Sequence, residues 1–148
     1  MSSITPNTEA MNTLSYSRAM DQHTGAVKGP PAIGLSPLVG SWINFDRNTR
    51  GIIRIVLTGD DQKLRVHAFG ACSPESCDWG TVPAAAFAES ASASEAVGFR
   101  AFYNFGFLGT MLAAYLNKRL LVIDAYNQFK DGSGRSEYFL RDHFYLED

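Results

Sequence analysis

The sequence predicts an all-β protein, an eight-stranded antiparallel up-and-down β-barrel with a mostly irregular N-terminal extension. From about Leu38 onward, segments of alternating apolar and polar residues recur every ~8–12 residues, the spacing expected of a barrel or a sandwich. Clusters of Asp, Asn and Gly separate these segments. Most links are short, so successive strands should be antiparallel neighbours, and closing such a sheet removes its exposed edges.

Residues 1–37 differ from the rest of the chain. They are rich in Ser, Thr, Asn, Gly and Pro, and Gly29-Pro30-Pro31 stops regular structure. A short helix over 8–20 fits the pattern. The extension is therefore expected to be a disordered tail or an arm that covers the barrel, while 38–148 form the barrel domain.

The first four predicted strands are 39–46, 51–58, 63–71 and 79–87. The first opens on Gly40-Ser41-Trp42, and the second reaches a turn at Gly59-Asp60-Asp61. The third leads into a loop flanked by two cysteines. The fourth contains Pro83, which cannot donate to a neighbouring strand.

The last four predicted strands are 97–105, 110–116, 119–129 and 137–145. A Ser/Ala-rich loop over 89–95 precedes them. Gly106–Gly109 separates the first two of these strands, and Asn117-Lys118 forms the next turn. The longest link lies between the fourth and fifth strands. A sandwich needs longer crossing connections, so the turn lengths favour a barrel, with a sandwich or a half-open barrel as the alternative.

Composition limits the classes of partner. The chain has 148 residues, 45% of them hydrophobic, and a formal net charge of −2, which argues against nucleic-acid binding. No apolar run approaches the ~18 residues of a membrane helix. The N-terminus carries no secretory signal pattern, so we expect a cytoplasmic protein without a membrane partner. No phosphate-binding, dinucleotide or zinc-protease motif is present, and no cofactor is predicted.

Cys72 and Cys77 flank the turn-forming segment Ser73-Pro74-Glu75-Ser76. A disulfide here would contribute roughly 2 kcal/mol by loop entropy. A cytoplasmic location would instead keep both residues as thiols. A redox or reactive-cysteine role is less favoured, and a metal site is less favoured still, because no second Cys/His pair has suitable spacing.

Gly40, Trp42 and Arg141 carry a resemblance to the calycins, the superfamily of lipocalins, fatty-acid-binding proteins and avidins. Those barrels open on a Gly-x-Trp strand and pack the Trp against an Arg from the last strand. The resemblance implies that Trp42 plugs one end of the barrel with Arg141 stacked across it. Trp42-Ile43-Asn44 is also similar to the avidin first strand, which implies a ligand-binding role for Asn44. With Trp79 as the only other tryptophan, biotin is not the expected ligand.

Alternation along the strands divides their residues between two faces, and neither face is cleanly polar. Because both faces are half apolar, we expect a homo-oligomer. Tyr103, Tyr115 and Tyr126 are candidates for a ligand-binding wall, since they join an apolar ring to a polar tip.

Three functions are open at this point. The leading hypothesis is binding of a small, largely apolar molecule in the lumen. The alternative is a cofactor-free isomerase or cyclase, which the resemblance also implies because allene oxide cyclases are similar small barrels. Its catalytic candidates are His67, Arg100 and Asp124, if they face the lumen. In the alternative arrangement they lie on the surface around a filled core. The third is an interaction module with a filled interior. An enclosed volume of ~300 Å³ or more would favour a ligand, and a packed interior would favour the module.

Overall fold

The computed structural model describes residues 32–148, and the prediction for 1–31 lies outside the described residues. This part of the chain forms eight strands and contains no helix that could span a membrane. The strands are β1 Gly40–Asn44, β2 Ile52–Asp60, β3 Lys63–Gly70, β4 Cys77–Ala88, β5 Ala96–Asn104, β6 Leu108–Asn117, β7 Leu120–Phe129 and β8 Tyr138–Leu146.

The strands pair in chain order and close into a barrel, which confirms the predicted fold class. Every neighbouring pair is antiparallel, and β1 pairs with both β2 and β8. Trp42 therefore lies between Ile55 on one side and Leu146 on the other. The tight turns at Asp61-Gln62 and Lys118-Arg119 have positive φ at both residues, the geometry that matches the twist of a two-residue hairpin.

The closed end of the barrel is the one where β1 begins. Leu38 is fully buried there, and the indole N–H of Trp42 donates to the Leu38 carbonyl at 2.8 Å. Ile33 and Leu35 also pack against the core, and Gly34 pairs with Glu95. The segment before β1 thus contributes to the core, although the sequence placed it in the extension.

The predicted stacking of Arg141 on Trp42 does not form. Trp42 is 2% exposed and points inward, whereas Arg141 lies on the outer face of β8. There Arg141 binds Asp124 through two hydrogen bonds of 2.6 and 2.9 Å and lies over the ring of Phe139. The physical reason is register. Leu146 is the residue of β8 opposite Trp42, so these two side chains share one face of the sheet. Arg141 is five residues before Leu146, an odd number, and therefore lies on the other face of β8.

Pro83 lies within β4, which begins two residues earlier than predicted. It is opposite Arg65 of β3, but pairing of β4 with β5 starts only at Ala84 and Ala101. Its missing N–H therefore interrupts no bond to β5. The first half of β4 pairs with β3 alone, which leaves a seam between β4 and β5.

Candidate ligand site at the open end of the barrel

A cavity of about 60 Å³ opens at the end of the barrel opposite Trp42. Most of the interior below it is filled by side chains such as Ile55, Leu57 and Leu112, which are fully buried. The cavity is thus about one fifth of the size that the lumen hypothesis anticipated. Its apolar lining consists of Ile52, Trp79, Phe105, Leu108, Ile123, Ala125, Tyr138, Leu140 and Phe144.

An aromatic cluster forms one wall of the cavity. Trp79 makes edge contacts with Tyr103 and Phe105, at ring-centroid distances of 5.4 and 5.2 Å. The rings of Tyr103 and Phe105 are nearly parallel at 5.7 Å. Trp79 packs against Gly70, where a β-carbon would collide with the indole ring. The glycine at the end of β3 therefore makes room for this wall.

The hydroxyl of Tyr103 bridges the seam between β4 and β5. It donates to the Gly80 carbonyl at 2.7 Å and lies 3.3 Å from the Val66 carbonyl. It accepts from the N–H of Ala68 at 3.0 Å. A bulge in the pairing of β3 with β4 skips Ala68, so this N–H has no partner in β4. Burial raises the pKa of Tyr103. Because its hydroxyl is occupied, Tyr103 serves as a structural member of the wall.

Two polar side chains lie within the apolar lining. Thr110 on β6 and Asn127 on β7 are opposite each other, and Thr110 Oγ1 donates to Asn127 Oδ1 at 2.7 Å. Asn127 is only 5% exposed. Among residues 32–148 its Nδ2 makes no hydrogen bond, although a buried amide donor without a partner costs about 1–3 kcal/mol. This N–H₂ group is therefore available to a hydrogen-bond acceptor in the cavity.

Charged groups lie at the rim. Asp142 on β8 lines the cavity, and its Oδ2 accepts a hydrogen bond of 3.3 Å from Thr49 Oγ1. Arg50, next to Thr49 in the loop between β1 and β2, lines the same opening. The two residues form no ion pair with each other, as judged over the described residues. A ligand could thus meet either charge at the mouth.

The predicted ligand wall is divided by the structure. Tyr103 lies inside, but Tyr115 and Tyr126 point outward and are 43% and 42% exposed. These two tyrosines do not line the cavity, because closure of the sheet placed the other face of β6 and β7 inward. Trp42 is buried at the closed end. Asn44 donates to the Ile52 carbonyl at 2.9 Å and accepts from Asp46 N–H at 2.8 Å, so its amide fixes the bend after β1.

The three catalytic candidates do not converge in the interior. His67 lies on the outer wall, stacked on Phe69, with its Nε2 2.6 Å from Asp78 Oδ1. Hydrogen bonds from the Gly80 N–H and then from His67 lower the pKa of Asp78. Arg100 and Asp124 also point outward, each on a different strand. Alternation separates the two faces of each strand, but it does not tell which face closes inward.

The polar residues of the cavity were missed from the sequence. Asn127 continues the alternation of Leu121, Ile123 and Ala125, all of which pack in or against the core. An amide at the end of such an apolar series is the signal that could have identified it. Thr110 and Asp142 carry no comparable signal, since both residue types are common on exposed strand positions.

The predicted disulfide is present. Cys72 and Cys77 are bonded, with their Cα atoms 5.6 Å apart, and they close the loop between β3 and β4. Since β4 begins at Cys77 and reaches Trp79 two residues later, the disulfide holds the loop beside the aromatic wall. The alternative of two free thiols is therefore wrong.

Comparisons with protein-family models, with curated proteins and with solved structures each returned no match. The fold itself is compatible with a calycin-like barrel, as eight sequential antiparallel strands close on themselves.

Proposed function

We propose that this protein binds a small molecule at the open end of the barrel, by inserting a hydrogen-bond acceptor toward Asn127. The observation that carries the proposal is the Nδ2 of Asn127, a buried donor without a partner among residues 32–148 that borders an apolar cavity. Concave ligand sites commonly combine apolar walls with a few convergent polar groups. A carbonyl or carboxylate oxygen would satisfy the amide.

The size of the cavity limits the part of the ligand that enters it. A water needs about 10–15 Å³ of such space, so 60 Å³ accommodates roughly four to six waters or a comparably small group. The remainder of the ligand would lie at the mouth against Trp79, Phe105 and Tyr138. A single ring bearing a carbonyl group fits these requirements and narrows the small, largely apolar molecule expected from the sequence.

A place among the calycins belongs to the same proposal. The closed barrel and the Gly40-Ser41-Trp42 opening support it, whereas the outward position of Arg141 does not. The isomerase or cyclase alternative has less support, because His67, Arg100 and Asp124 lie on the outer wall. An enzyme at this site would have to use Asp142 and Asn127 instead.

Protein-observed NMR with two simple probes, benzamide and acetophenone, tests the proposal. Both join a carbonyl oxygen to one ring. We expect saturable shifts at the side-chain amide of Asn127 and at Trp79 Nε1–H, with dissociation constants in the millimolar range, as is usual for so few contacts. Asn127→Leu should weaken binding at least fivefold.

Asn117→Leu, the same substitution at an exposed position near the closed end, is the matched control and should leave the affinity unchanged. Native mass spectrometry of freshly purified protein adds a search for a co-purifying molecule. Shifts that are unsaturable, that map away from the cavity, or that are equal in Asn127→Leu and wild type would contradict the proposal.

A further inference from the structure

The outer surface of four consecutive strands carries a broad apolar face. Pairing of β5 with β6, of β6 with β7, and of β7 with β8 aligns its residues in rows across the sheet. We call this surface the aromatic face. One of its rows consists of Phe102, Met111, Tyr126 and Phe139. A second, central row consists of Arg100, Ala113, Asp124 and Arg141.

The aromatic face exposes an apolar area near the upper end of what a monomer usually leaves uncovered, about 300–600 Å². Phe102, Tyr126, Phe139 and Tyr115 of this face, together with Phe87 on the adjoining β4, are each between 42% and 58% exposed. Since a large aromatic side chain has ~150–250 Å² of surface, these five leave on the order of 500 Å² of apolar area uncovered. These rings flank the charged central row on both sides, and exposed apolar surface of this size often marks an interaction site. With the intervening aliphatic and charged groups, the face approaches the ~800 Å² per partner of a standard interface.

The opposite wall of the barrel differs. On β2 and β3 the outward residues include Arg54 and Arg65, and Arg54 pairs with Glu147 at 2.8 Å. Of the ten large hydrophobic side chains exposed among residues 32–148, five belong to the aromatic face or the adjoining β4, and the other five lie at or next to strand ends: Val39, Phe45, Phe107, Tyr138 and Leu146. This uneven distribution indicates one specific interaction surface rather than non-specific association over the whole exterior.

The central row gives the aromatic face a self-complementary charge pattern. β6 is the midline, with Arg100 on β5 at one side and Asp124 on β7 at the other. Arg100 lies between the rings of Phe87 and Phe102, 5.8 and 5.7 Å from their centroids, and makes no ion pair among residues 32–148. Asp124 is 8% exposed, and its carboxylate can accept more than the two bonds from Arg141.

We infer that the aromatic face is the interface of a two-fold symmetric homodimer whose axis runs along β6. In an isologous interface the same patch meets itself. A two-fold axis parallel to β6 places β5 of one copy over β7 of the other, so Arg100 meets Asp124 of the second copy twice. An axis perpendicular to β6 would instead place Arg100 over Arg100. Charge complementarity thus selects a second copy of this chain and one orientation.

Sedimentation equilibrium of the 148-residue chain tests the dimer. We expect a mass twice the 16.2 kDa of the protomer at micromolar concentrations. Arg100→Glu places a carboxylate against Asp124 and should weaken association at least tenfold. Arg65→Glu makes the same charge change on β3 and should leave association unchanged. Phe102→Lys should also weaken it, unlike Phe45→Lys, whose ring is similarly exposed but follows β1.

Cross-linking tests the orientation of the axis. Ala113 lies on the midline, so in Ala113→Cys the two thiols would face each other across packed sheets ~10 Å apart, and a short bismaleimide should join them rapidly. In Ala85→Cys, on the same row of β4, the thiols would be about four strand spacings, or ~20 Å, apart laterally. A chain that stays monomeric at about 100 times the micromolar concentrations given above would overturn the inference. So would a dimer whose association is unchanged by Arg100→Glu, or equal cross-linking at Ala113→Cys and Ala85→Cys.

Discussion

Tyr103→Phe removes one oxygen atom and tests how the wall of the ligand site is held. The lost hydroxyl leaves the Ala68 N–H without an acceptor and the Gly80 carbonyl without its donor. An unsatisfied buried group costs about 1–3 kcal/mol. Ala68 is fully buried, whereas Gly80 is partly exposed and can turn to water. We therefore expect a loss of about 2–3 kcal/mol in the free energy of unfolding, measured by urea titration.

Tyr115→Phe is the matched control. It removes the same atom from an outward tyrosine that is 43% exposed, so the free energy of unfolding should change by less than about 0.5 kcal/mol. Hydrogen exchange supplies a local readout, because the Ala68 amide should be protected in wild type and exchange faster in Tyr103→Phe. A loss below 1 kcal/mol with Ala68 still protected would refute the role assigned to this hydroxyl.

Three further predictions concern stability. Trp42→Ala should cost ~3–5 kcal/mol in urea unfolding, as for other buried large aromatics, and a loss below 1 kcal/mol would mean that this ring does not close the barrel. Gln62→Gly should raise the free energy of unfolding by about 0.5 kcal/mol, and with it the thermal midpoint. Relief of the ~1–2 kcal/mol of backbone strain at φ 66° exceeds the conformational entropy that glycine adds to the unfolded chain, so a lower midpoint would contradict this turn geometry. Burial raises the pKa of Tyr103 above its ordinary 10.0, so its stabilising contribution is complete below about pH 10 and is lost as pH rises through the folded-state pKa. The free energy of unfolding, measured by urea titration between about pH 9 and 12, should therefore fall less steeply with pH for Tyr103→Phe than for wild type.

The strands and their order could be predicted because alternation and turn residues are local properties of the sequence. Turn positions were less predictable. The sequence places a turn at Gly59-Asp60-Asp61, but β2 continues through Asp60 and turns at Asp61-Gln62. Gly59 has a packing role instead, as a β-carbon there would lie 3.1 Å from Leu35 Cδ1. That contact joins residues far apart in the chain and leaves no local pattern.

The direction in which the sheet closes could not be predicted. Alternation correctly separates Tyr103 from Phe102 and Tyr115 from Ala114, but it assigns neither set to the interior. A polar outer face normally resolves this question. Here the outer face of β5 to β8 is itself apolar, so burial depends on the curvature of the complete barrel. The three predicted tyrosines consequently fall on both sides of the wall.

The apolar character of both faces connects the two proposals while keeping their tests separate. Asn127 and Tyr126 are consecutive residues of β7, one pointing into the cavity and the other onto the aromatic face. Arg100→Glu changes only the outer surface, so an Arg100→Glu monomer that binds benzamide as wild type does would show that the cavity is complete within one chain. If binding is lost with self-association while the variant stays folded, the site needs the second copy. In that case the aromatic face supports the ligand site through dimerisation, and the two surfaces do not function independently.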